Sequence, residues 1–200
     1  MFREKNVFAE AIDVPTTDSK LTSLPIHLFQ SIVKGDAMEW IVEKATELGV
    51  RTFSPIETEF TVVDLKKRGA DSFQNRWQRI SDQALKQCGR LDRMMVKTPM
   101  TLEEALLTKT HVLWLDETFH DLKDIHFASE LSQFTSVNEK SLLVGPEGGF
   151  SPSERSRLLQ LTGSNNHEIT RVNLGSIILR AETASILGIS MLVGNHYGKR

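Results

Sequence analysis

Two loops late in the chain concentrate the residues able to do chemistry. The first, LLVGPEGGFSPSE from Leu142 to Glu154, follows an apolar run with Gly145, Pro146, Glu147, Gly148 and Gly149, then starts a helix. Such a loop has little side-chain bulk to hold a ligand off its backbone. Ser151 reads as an N-cap, Pro152 as the first helical residue, and Glu154 as the cap's partner three residues on. The second loop, NLGSIILRAETA from Asn173 to Ala184, offers Gly175 for close backbone approach, an apolar run Ile177–Leu179, then Arg180 and Glu182 beside a helix start. Backbone N–H and C=O groups between apolar walls suit an uncharged heterocycle such as adenine better than a triphosphate. Arg180 is a planar cation able to grip a phosphate or an anionic base. By spacing alone, a surface pair of Arg180 with Glu182 accounts for the same two residues equally well.

Other chemistries find no purchase. There is no GxGxxG after the first strand, no GxxxxGK[ST], and no GxSxG around Ser151 or Ser153. The six histidines, His27, His111, His120, His126, His167 and His196, form no HExxH pattern, and the lone Cys88 permits neither a CxxC pair nor an intrachain disulfide, so no metal site is expected. Cys88 falls at a helical spacing that suits the core. The formal charge of −2 over 200 residues requires any nucleic-acid contact to come from a local patch or a partner subunit. No apolar run reaches membrane-spanning length and the start MFREKNVFAEAIDV has no signal-peptide core, which makes a cytoplasmic protein without membrane contact the default.

The elements that must position the loops alternate. Pro25–Ile32 reads as a strand. A helix follows with Asp36 as cap and Glu39 three residues on, its apolar face Met38, Ile41, Val42, Ala45 and Leu48, ended by Gly49. RTFSPIE and EFTVV are short extended segments. Ser72 caps a second helix through Phe73, Trp77, Ile80, Leu85 and Cys88 to Gly89. RMMVK is a strand, TLEEALL a short helix with Thr101 and Glu104 as a capping box, and HVLWLDE, SLLVG and HEITRVNL are further strands before a last helix, ETASILGISMLVG. Strands separated by helices predict a mostly parallel α/β sheet, with both loops at the carboxyl ends of its strands. Residues 1–20 break the alternation and read as β-rich material with a linker, too short for a core of their own.

The two loops resemble the signature segments of the RsmE-type small-subunit rRNA methyltransferases, of the SPOUT class. KGDAMEWIVEKATELGV (Lys34 to Val50) and RWQRISDQALKQCGR (Arg76 to Arg90) are similar to two further blocks of that family, so the likeness runs from about Leu21 onward. It implies a methyltransferase domain over residues 21–200 with a deep C-terminal trefoil knot, preceded in residues 1–20 by the remnant of a PUA-like β-barrel. It implies methyl transfer from S-adenosyl-L-methionine to uridine N3 of 16S rRNA in the small ribosomal subunit, by a homodimer. The cofactor-binding residues would be Leu115, Val144, Gly145, Glu147, Gly148, Leu174, Gly175, Ile178 and Leu179.

Read chemically, that reaction needs the uridine N3 proton removed and the resulting anion stabilised. Arg180 is the candidate cation, and Glu182 organises the loop or serves as base. The segment from Asn75 to Arg93 carries Arg76, Arg79, Lys86, Arg90 and Arg93 against Asp82 and Asp92. It reads as an RNA-facing patch or as a solvated helix face, and the resemblance favours RNA for Arg76, Arg79, Lys86 and Arg90, with Lys34 as a further contact. Phe60 stands where relatives carry an arginine, which removes one expected RNA contact. The barrel remnant leaves a second hypothesis open, a non-catalytic RNA- or ribosome-binding relative that keeps the cofactor knot.

Overall fold

The computed structural model describes residues 23–63, 65, 69–108, 111–118, 139–162 and 168–197. The alternation becomes seven strands among those residues: β1 (Leu24–Ser31), β2 (Val50–Glu57), β3 (Met95–Val96), β4 (Met100–Thr101), β5 (His111–Leu115), β6 (Lys140–Val144) and β7 (Glu168–Val172). Helices among the described residues include α1 (Asp36–Glu47), α2 (Ala70–Cys88), α3 (Leu102–Thr108), α4 (Pro152–Leu161) and α5 (Ala181–Tyr197). The strands lie in the order β3-β2-β1-β6-β5-β7, with β4 also beside β2, and every pairing is parallel. The expectation of a mostly parallel α/β sheet holds.

Parallel strands need crossovers, and the helices that make them cover both faces. One face packs Ile26, Leu28, Leu113, Leu115, Leu142, Val144 and Val172 against α1, Trp77 of α2, and Ile189 and Leu192 of α5. The other packs Phe29, Val112, Trp114, Leu143 and Ile169 against Leu102, Ala105 and Leu106 of α3 and Leu158 of α4. Residues alternate between these faces along each strand, as a pleat requires. α5 seats closely: a Cβ on Gly188 would lie 2.9 Å from Leu142 Cδ2 and 3.2 Å from Leu115 Cδ1. Only glycine lets that helix sit so near the sheet.

Several local expectations hold. Ser151 and Glu154 form a complete capping box with Pro152 in the first helical turn. Thr101 and Glu104 cap α3, Thr101 N–H donating to Glu104 Oε2 at 2.7 Å and Glu104 N–H to Thr101 Oγ1 at 3.3 Å. Gly89 ends α2 with φ 72°.

Three expectations need correction. Asp36 does not cap α1. Gly35 takes the cap position at φ 56°, and Asp36 is the first helical residue, where its charge still complements the helix dipole. Ser72 does not cap α2, which begins two residues earlier at Ala70 behind Gly69. EFTVV is no strand: Thr58–Thr61 is a turn, closed by a Thr61 N–H to Thr58 C=O bond of 2.9 Å. The barrel-like segment at residues 1–20, and His120, His126 and His167, lie outside the described residues.

Candidate functional site

Strand register builds the site. Leu115 pairs with Val144 on one side and with Val172 on the other, so β5, β6 and β7 end level with one another. The loops leaving those three ends enclose a cavity of about 690 Å³, within the range of small-molecule sites. Leu115, Val144, Gly145, Glu147, Gly148, Leu174, Gly175, Ile178, Leu179, Arg180 and Glu182 all line it, joined by Ala37 from the first turn of α1. The structure thus gathers both loops and the end of β5 around one space. Lys34, Arg76, Arg79, Lys86 and Arg90 are not among its walls.

Each glycine of the first loop serves the protein's own packing. A Cβ on Gly145 would meet the Phe150 ring at 3.1 Å, and one on Gly148 would touch Phe60 at 3.5 Å. Gly149 has φ 70° and would put a Cβ 2.9 Å from Glu117 Oε1. Phe150 folds back beneath the loop, edge-on to Trp114 with ring centres 6.0 Å apart. Phe150 and Phe60 therefore hold the loop in shape, while Glu117 and the loop's own glycines line the cavity. In the second loop, Asn173 Oδ1 accepts from Gly175 N–H at 2.6 Å, and Gly175 takes φ 133°, which bends the chain into the wall that carries Ile177 and Ile178.

Sequence reasoning missed the charged cluster beneath this cavity. Asp116, 1% exposed, receives Arg155 Nη2 at 2.6 Å on Oδ2 and at 2.8 Å on Oδ1. Arg171 reaches Oδ2 through Nη2 at 2.7 Å and Nε at 2.9 Å, and Thr118 donates its N–H and Oγ1 to Oδ1. Both guanidiniums also stand over the Trp114 ring, 5.2 and 5.5 Å from its centre. Burial works against the Asp116 charge, yet the hydrogen bonds from Arg155 and Arg171 outweigh it and hold the carboxyl below its ordinary value. The cluster ties the end of β5 to α4 and β7, so it braces two cavity walls. An acid at a strand end and an arginine in a helix's first turn were the signals available.

The cavity's lining carries four carboxylates, Asp116, Glu117, Glu147 and Glu182, and a single cation, Arg180. With Asp116 matched by its arginines, three acids remain around apolar walls of Leu115, Val144, Leu174 and Leu179. Arg180 is 86% exposed and its Nη1 lies 4.0 Å from Glu182 Oε1, so most of the guanidinium is presented to solvent at the mouth. Its backbone C=O accepts from Ala184 N–H at 2.9 Å, which anchors the residue at the start of α5. Among the described residues no group of three or more His, Cys, Asp or Glu is placed to hold a metal ion, and no helix is long and apolar enough to cross a membrane.

The basic residues of α2 divide. Arg79 and Lys86 are exposed, on the same side of the helix as Arg76, which is half exposed and ion-paired with Glu39 of α1. Lys34 is exposed beside the first loop, its backbone N–H donating to Glu147 Oε1 at 3.4 Å. Arg90 is a correction: only 6% of its side chain is exposed, and Nη1 donates to the C=O of Thr46 at 2.7 Å and of Val50 at 3.1 Å. It closes the α1–β2 turn rather than facing a ligand. Arg90→Ala is expected to cost about 1–3 kcal/mol by removing the guanidinium from both carbonyls, of which that of Thr46 keeps a bond from Gly49 N–H. A lower urea midpoint with unchanged RNA affinity per folded molecule would bear this out.

A family described as an RNA methyltransferase domain matches residues 20–193. The ribosomal RNA small subunit methyltransferase E of Bacillus subtilis (strain 168) is 28% identical over 184 residues, spanning 88% of this chain and 68% of the relative. That of Aquifex aeolicus (strain VF5) is 33% identical over 181 residues, 90% of this chain and 73% of the relative. A crystal structure of a ribosomal RNA small subunit methyltransferase E from Neisseria gonorrhoeae bound to S-adenosyl methionine superimposes with a TM-score of 0.69 at 30% identity, over 88% of this chain and 68% of that one.

Proposed function

The chain belongs to the RNA methyltransferase domain family, within it to the ribosomal RNA small subunit methyltransferase E group, and we propose that it methylates N3 of a uridine in 16S rRNA of the small ribosomal subunit, using S-adenosyl-L-methionine. The observation that carries this reading is the cavity at the level ends of β5, β6 and β7, with glycine-rich backbone on one wall and Arg180 at its mouth.

The residues present fit the cofactor. Apolar walls and backbone groups of the two loops suit its adenosine, and an excess of carboxylate over cation suits its sulfonium. Leu115, Val144, Gly145, Glu147, Gly148, Leu174, Gly175, Ile178 and Leu179 would hold it. When bound it supplies a methyl carbon that is already electrophilic, so the protein's own task is alignment and proton management. Arg180 stabilises the negative charge that builds on the uridine as its N3 proton leaves. Glu182, 4.0 Å away, sets the guanidinium's position or accepts that proton, and Glu147 and Glu117 are the other unmatched carboxylates of the lining.

The finer features of the reading follow the same residues. A deep trefoil knot is supported by the course of the last segment, which leaves edge strand β7, passes the cavity, and brings Ser185 of α5 into hydrogen bond with Gln30 of β1. A homodimer is supported by apolar residues all round α5, with Leu187 exposed, and by exposed Ile177 and Ile178 at the cavity mouth. Lys34, Arg76, Arg79 and Lys86 are the RNA-facing cations. Small subunits lacking the modification, given labelled S-adenosylmethionine and this protein, are expected to yield labelled 3-methyluridine. Cofactor binding without any labelled base would instead leave a non-catalytic RNA-binding relative.

A further inference from the structure

Phe60 is 44% exposed and Val62 is 66% exposed, both in the segment that follows β2 at the cavity's edge of the sheet. Isolated apolar residues at a surface are ordinary. This one is held with unusual care. Thr58 N–H donates to Thr61 Oγ1 at 2.9 Å, the two threonine hydroxyls lie 3.0 Å apart, and Thr61 N–H returns to Thr58 C=O. Glu59 is tied from both ends: its N–H donates to Glu154 Oε1 at 2.9 Å, and its Oε2 accepts from Ser153 Oγ at 3.1 Å. Glu154 meanwhile uses Oε2 to cap α4. The turn is thus fastened to the first turn of α4 while its largest side chain keeps nearly half its surface exposed.

The ring's position is specific. Phe60 lies against Gly148, whose own backbone lines the cavity, and the backbone N–H of exposed Lys34 reaches Glu147 of that same loop. A half-exposed aromatic ring on a fastened turn, a lysine and the mouth of the cavity therefore follow one another along the β2–β1–β6 end of the sheet. Proteins that hold unpaired nucleic acid combine these parts, stacking bases on rings while cations follow the phosphates.

Against the expectation that Phe60 only removes an RNA contact, we propose that it is a stacking platform for a nucleobase of the RNA substrate, with Lys34 on the adjoining phosphate. The proposal rests on the RNA-methylating reading above and adds to it a residue that positions substrate without touching the cofactor. Its test is methylation kinetics with Phe60→Ala, Phe60→Leu and Phe60→Tyr, beside S-adenosylmethionine binding by calorimetry and sedimentation mass.

For F60A the KM for small subunits is expected to rise about tenfold with kcat little changed, the scale of one lost base–aromatic stack. F60Y should keep near-parent KM, and F60L, apolar but without a ring face, should behave as F60A. Cofactor affinity and mass should not move in any of the three. Full rescue by F60L, or a fall in mass, would overturn the proposal, making Phe60 a packing residue against Gly148 or a contact between copies. An unaltered protein that transfers no methyl group would defeat the functional reading instead.

Discussion

Arg180→Ala is expected to lose about two to three orders of magnitude in methyl transfer, the scale of removing a donor that faces developing charge, while binding S-adenosylmethionine within about twofold of the unaltered chain. The separation follows from where the residue sits. Its backbone anchors the start of α5, and an alanine keeps the bond from Ala184 N–H. Its guanidinium is 86% exposed and pairs only at 4.0 Å with Glu182, so removing it frees no buried partner and leaves the cavity's walls intact. The surfaces proposed to face the cofactor come from other residues. Single-turnover transfer, measured beside equilibrium cofactor binding, reads the two effects apart. Equal losses in both would mean that Arg180 builds the pocket; unchanged transfer would remove it from the chemistry. Arg180→Lys is expected to recover little, since an ammonium presents no planar fork to an imide anion.

Asp116→Asn carries the largest expected loss of stability, about 3 kcal/mol, the lower end for breaking a buried charge cluster because each arginine keeps about a fifth of its exposure. For a chain of this length that is a melting temperature lower by about 6–12 °C. The sign with pH follows from the depressed carboxyl. Its contribution is fully present above the ordinary aspartate value of about 4, and is lost as pH falls through the lower value it holds in the folded protein. The gap between parent and variant is therefore constant above about pH 5 and closes in acid. A gap that widened in acid would contradict the ion-pair account. Loss of the brace also loosens the wall between β5 and β7, so cofactor affinity should weaken along with stability.

How much of this was legible in the sequence depends on the reach of each interaction. The caps at Ser151 and Thr101 are written within four residues, and both were readable. Alternating strands and helices announced a parallel sheet because every parallel connection needs a crossover. Asp36 was misread because a cap depends on backbone angles as well as residue type, and Gly35 adopts φ 56° there. Arg90 lay in a basic helix segment, and nothing nearby revealed that its acceptors are the carbonyls of residues 44 and 40 positions earlier. Asp116 meets arginines 39 and 55 residues later, a coincidence only the sheet order creates. The two loops were recognisable as a pair. That the glycines of the first loop are packed on Phe150, Phe60 and Glu117 was visible only in three dimensions.

The divided carboxylate of Glu154 has a dynamic consequence. One oxygen holds the N–H of Ser151 and the other the N–H of Glu59, so two segments far apart in sequence share one latch. Local openings occur in cooperative units, and this latch joins the two segments into one. The amides of Glu59 and Ser151 should therefore exchange their hydrogens with solvent at the same protection, and Glu154→Gln should lower both together. The Phe60 turn and the cavity loop would then open and close as one body, so that the proposed RNA-holding side forms only together with the proposed cofactor side.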